Sequence, residues 1–140
     1  MASVIAIRDG MATRLLTISG LRVSDYVPGQ INPPAAVIIP GDPESQTAQM
    51  ISFDSTMARG SDDMLFTVMI LVSLAHDRVA HEKLDAYLDG SSATSVKAAL
   101  DGNLGGVVSY CRVASCRRYG RVKWGNQDYL GAEFLVEVCT

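Results

Sequence analysis

The sequence predicts an α+β fold for residues 1–140, read as a single domain: a mixed, mainly antiparallel β-sheet with an N-terminal helix and a central helix packed on it. Three observations predict this. Residues 3–18 and 77–88 carry apolar side chains at spacings of three and four, the stripe of an amphipathic helix. Residues 64–74 form a β-branched apolar run, and residues 107–113 and 129–138 alternate apolar and polar side chains as a closing antiparallel pair would. The chain has 140 residues, 48% of them hydrophobic and 19% charged, so it can bury one core and lacks the composition of a disordered segment.

The elements follow in order. Val4, Ile7, Met11, Leu15 and Ile18 make the stripe of the first helix, with its stop expected at Gly20. Leu21 to Val27 reads as a short strand ended by the turn at Pro28-Gly29. Pro33-Pro34 leads into a second strand, Ala35 to Ile39, expected at a sheet edge and closed by Pro40-Gly41. Residues 40–63 read as a long excursion with one brief strand near Met50 to Phe53, and loops of such length are often functional. Met64 to Leu74 is expected to be the central strand. Both of its faces are mostly apolar, so each needs cover from helices or a neighbouring subunit. Asp77 to Leu88 reads as the second long helix and Val96 to Leu100 as a short third one, with serines and a threonine before it as candidate caps. Trp124-Gly125-Asn126 supplies turn chemistry before the last strand.

The search for chemistry returns no catalytic residue, no cofactor site and no metal site. Cys111 and Cys116, five apart on an expected strand, should point to opposite faces. His76 and His81, about 500° apart round a helix, should not share one. No serine lies in a nucleophile elbow, and Gly102 to Gly106 reads as a turn, not a phosphate cradle. Three cysteines without a C-x-x-C pair fit reduced thiols in a cytoplasmic compartment. The N-terminus has no signal-peptide pattern and no run is long enough to span a bilayer, so no membrane partner is expected. The one charge cluster is Arg112, Arg117, Arg118, Arg121 and Lys123, five of the twelve basic residues, with Tyr110, Tyr119 and Trp124 nearby. With a net charge of −3, a basic rim facing an acidic subunit is favoured over a DNA-binding ribbon.

Several stretches resemble a known family. These are Phe53-Asp54-Ser55-Thr56 with Arg59-Gly60, running into Leu65 to Ser73; Glu82 to Leu88 with Ser95 to Leu100; and Tyr119-Gly120 followed by Tyr129 to Phe134 and Val136 to Val138. Together they are similar to the tail terminator proteins of long, non-contractile-tailed bacteriophages, especially those of actinobacteria. The resemblance covers nearly the whole chain, although its motifs are packing patterns without a chemical signature. Cys111, Cys116 and the Arg117-Arg118 pair depart from the family pattern.

The resemblance implies a non-enzymatic virion protein, assembled in the host cytoplasm. It would form a homohexameric ring at the head-proximal end of the tail, capping the tail tube protein and meeting a head-tail connector or stopper protein. Genome DNA would pass through such a ring without specific binding. The candidate interface residues are then Asp54 and Arg59 in the excursion and Arg112, Arg117, Arg118, Arg121 and Lys123 in the ribbon. Rival readings are another head-to-tail joining protein (a connector stopper or tail completion factor), a small enzyme built on His76, Asp77 and Cys111, and a DNA-binding module.

Overall fold

A computed structural model describes residues 3–24, 31–42, 50–53, 62–74, 77–124 and 126–140. Among them are three helices, α1 (Val4–Leu15), α2 (Arg78–Leu88) and α3 (Val96–Leu100). The strands are β1 (Arg22–Ser24), β2 (Ala35–Pro40), β3 (Ile51–Ser52), β4 (Asp63–Ser73), β5 (Tyr110–Trp124) and β6 (Gln127–Cys139). The strands form one sheet in the order β1-β2-β4-β6-β5, with β3 pairing β4 beyond the end of β2. All pairings are antiparallel except β1 with β2, so the sheet is mixed and mainly antiparallel and the fold is α+β.

The helices start where short polar side chains satisfy free backbone N–H groups. Ser3 accepts from Ala6 N at 3.1 Å, Asp77 from Ala80 N at 2.9 Å and Ser95 from Ala98 N at 3.0 Å. The first helix ends at Leu15, earlier than the Gly20 stop expected from the sequence. There the Thr17 hydroxyl donates to the Arg14 carbonyl and Ile18 N bonds to Leu15 O, which turns the chain while keeping Ile18 buried. Arg14 in turn donates to the carbonyl of Ala99, fixing α1 against the last turn of α3.

Strand alternation sorts the core. Phe66, Val68 and Ile70 of β4, with Ala132, Phe134 and Val136 of β6, face Ile7, Met11 and Leu15 of α1, Leu84 and Tyr87 of α2, and Val96 and Leu100 of α3. The wholly apolar face of the central strand is thus covered by helices of the same chain. Its other face carries a smaller cluster, Val37, Met69 and Leu71 with Val122 and Tyr129 from the end of the β5–β6 hairpin.

Two expectations are corrected. Ala35 to Ile39 does not lie at a sheet edge. β1 pairs in parallel along its outer side, so β2 is an interior strand, as its buried Ala35 to Ile38 requires. Cys111 and Cys116 do not point to opposite faces either. The irregularity between Val113 and Ser115 inserts one residue and inverts the alternation, so Cys111 opposes Val138 and Cys116 opposes Phe134, both on the helix side. Four residues of β6 separate those partners, roughly 13 Å at strand rise, so the two thiols still form no metal pair.

Candidate functional site

The expected basic ribbon is strand β5 itself, and its partners divide the five cations. Arg112 opposes Glu137 and donates to its carboxylate at 2.8 Å, with both side chains more than half exposed. Arg117 opposes Glu133. It donates through Nε to Glu133 Oε2 at 3.2 Å and through both terminal nitrogens to Asp42, one of these bonds measuring 3.1 Å. Both carboxylates are sequestered, at 2% and 7% side-chain exposure, so Arg117 closes a triad on the helix-free face. Its hydrogen bonds to Asp42, above all, and to Glu133 raise the guanidinium pKa further, keeping it charged.

Arg118, Tyr119 and Gly120 lie at a second irregularity of β5, between Arg117 and Gly120. Arg118 adopts φ +59° and Gly120 φ +133°, a backbone that glycine accepts without strain. The bend places Tyr119 over α2. Its hydroxyl donates to Asp85 at 2.8 Å and lies 3.0 Å from His81 Nδ1, with the rings stacked at 5.8 Å. The tyrosine proton is given to Asp85, so His81 Nδ1 must be the donor of the second bond. Hydrogen bonding to Asp85 raises the Tyr119 pKa.

Beyond the bend, Arg121 and Lys123 alternate with Val122. As Val122 packs on Val37, Met69 and Leu71, the two cations point away from that cluster and are exposed. Neither has an ion-pair partner among the described residues. Asp54, Arg59 and His76 lie outside the described residues, as do the Pro28-Gly29 turn and most of the excursion between Gly41 and Asp63.

At the opposite end of the sheet the helix-free face opens into a groove of about 450 Å³. It is lined by Leu65 and Asp63 of β4, Tyr110 and Arg112 of β5, and Glu137 and Cys139 of β6. Tyr110 is 52% exposed there, and Phe53, beside the lining Ser52, is 71% exposed. Sequence reading missed this groove and the Asp42–Arg117–Glu133 triad. The signals for them in the sequence are Arg112 and Arg117 in the basic cluster and the alternation of residues 129–138, which puts Glu133 and Glu137 together on the polar side.

Burial, and secondarily the Asp101 carboxylate, pushes the Cys111 thiol up to about 12, which suits packing and not nucleophilic chemistry. Among the described residues no group of three or more His, Cys, Asp or Glu is arranged to hold a metal ion, and no helix is long and apolar enough to cross a membrane. Comparison of the chain with protein-family models and with curated protein sequences returns no match.

Proposed function

We propose that this chain is a structural subunit of a phage tail, of the tail terminator kind, which assembles as a ring on the finished tail tube and joins it to the head-side connector. One observation carries the reading: the two faces of the sheet are built differently. The helix side is closed by α1, α2 and α3, whereas the other side holds a small cluster, an ion triad and an open groove with exposed Tyr110. A subunit that binds copies of itself laterally and different proteins above and below needs several unlike surfaces on one rigid body, and heterologous contacts close into rings when their rotation permits. The sequence resemblance supplies the class of partner, and the sheet with helices on one face is compatible with it.

The test is the mass of the purified protein in solution with and without tail tubes, together with negative-stain images of the tubes. The expected result is a ring-sized assembly, formed alone or at tube ends, with density on one end of each tube. A chain that stays monomeric and leaves tube ends bare would overturn the proposal.

A further inference from the structure

We infer that the charged side of the β5–β6 hairpin tip of one copy docks into the groove at the opposite end of the sheet of the next copy. The inference rests on the ring reading and specifies its lateral contact.

Charge complementarity carries it. The tip presents two cations, Arg121 and Lys123, against one carboxylate, Asp128, which opposes Lys123 in the hairpin. The groove presents the inverse set: two carboxylates, Asp63 and Glu137, against one guanidinium, Arg112. Arg121, Lys123 and Asp63 have no ion-pair partner among the described residues, so each is available to a second chain. Arg112 and Glu137 hold each other in an exposed bridge that a closer partner can rearrange at little cost.

Position agrees with charge. The tip lies at residues 121–128 and the groove includes Glu137 to Cys139, so about nine residues of β6, roughly 30 Å at strand rise, separate them. Patches at opposite ends of one body cannot satisfy each other within that body. They match only between copies, and arranged head to tail they give the heterologous geometry of a ring. Leu65, Tyr110 and Cys139 give the groove an apolar part that a neighbour would remove from water.

The experiment compares wild type, R121E/K123E and D63K/E137K by mass in solution and by occupancy of tail-tube ends. Each variant alone is expected to raise the concentration needed for assembly about tenfold or more. An equimolar mixture of the two should recover wild-type assembly. In an alternating ring every reversed tip meets a reversed groove and every native tip meets a native one. If both variants assemble alone like wild type, the tip-to-groove contact is wrong while the ring reading stands. If wild type itself assembles neither alone nor on tubes, both fail.

A second measurement is insensitive to charge and to misfolding of those variants. Oxidising N126C, with the new thiol at the exposed tip and native Cys139 in the groove, should give a ladder of covalent multimers that N126C/C139S does not form. A ladder that persists without Cys139, or no ladder from an assembled protein, would overturn the contact.

Discussion

Arg112, Arg117, Arg121 and Lys123 look alike as a run of cations on an expected ribbon, and what separates them is what each touches. Arg117 pairs with two nearly buried carboxylates, so its removal takes the cation from Glu133 and one partner from Asp42. Arg117→Ala should lower unfolding stability by about 3 kcal/mol. Arg121→Ala and Lys123→Ala, on exposed positions, should each change it by less than about 0.5 kcal/mol. Urea unfolding midpoints check both, and equal effects at all three positions would refute the division. For that reason charge reversal at Arg117 tests folding, and a test of docking belongs at Arg121 and Lys123. Cys111 makes a second residue-scale prediction. Its folded pKa of about 12 lies above the ordinary thiol value of 9.0, so the thiol binds its proton more tightly when folded. The stability this contributes is complete below pH 9 and is lost as pH rises toward 12, at about 1.4 kcal/mol per pH unit within that window. Cys111→Ala should show a flatter alkaline decline in urea midpoint than wild type, and native Cys111 should resist alkylation at pH 8 until the protein is unfolded.

At the scale of elements, the departures from the expected pattern come from one inserted residue and one short neighbouring strand. The extra residue between Val113 and Ser115 inverts the alternation of β5, which no count of apolar positions can reveal because the period either side of it is intact. The edge assignment of β2 failed for a related reason. A three-residue strand, Arg22–Ser24, supplies the outer neighbour; its sequence reads as a strand, but nothing local shows which strand it pairs with. Gly131 is a point of close approach between β4 and β6. A Cβ there would sit 2.3 Å from the carbonyl oxygen of Ile70, which is backbone in the middle of the sheet and cannot step aside. Gly131→Ala should therefore destabilise the protein by about 3 kcal/mol, the upper part of the range for overpacking. A midpoint within experimental error of wild type would show that β4 and β6 can separate at that point. Removal of the α2 cap in Asp77→Ala should have a smaller effect, about 1 kcal/mol, because the freed Ala80 N–H is only partly buried and water can reach it.

For the whole molecule, the two sheet faces and two sheet ends matter more than any one residue. If the lateral contact is the complementary one between tip and groove, assembly should weaken steeply with salt, since at about 1 M the screening length falls to about 3 Å. Light scattering across a salt series reads this directly, and a salt-insensitive assembly would point to an apolar contact instead. The helices, the central strand and the closing hairpin were legible in the sequence because periodicities of 3.6 and 2 are local properties, recorded in which neighbours along the chain are apolar. Caps were legible too, as at Ser95, because a helix start is a contact between residues three apart. The triad joins Asp42 to Arg117, 75 positions away, and the groove gathers the starts of β4 and β5 with the end of β6. Sequence alone therefore determined where the main helices and strands lie and, for elements without a bulge, which face is apolar. Tertiary structure decided which charges are consumed inside the chain and which remain for a partner, because that depends on pairing register and bulges that bring distant residues together.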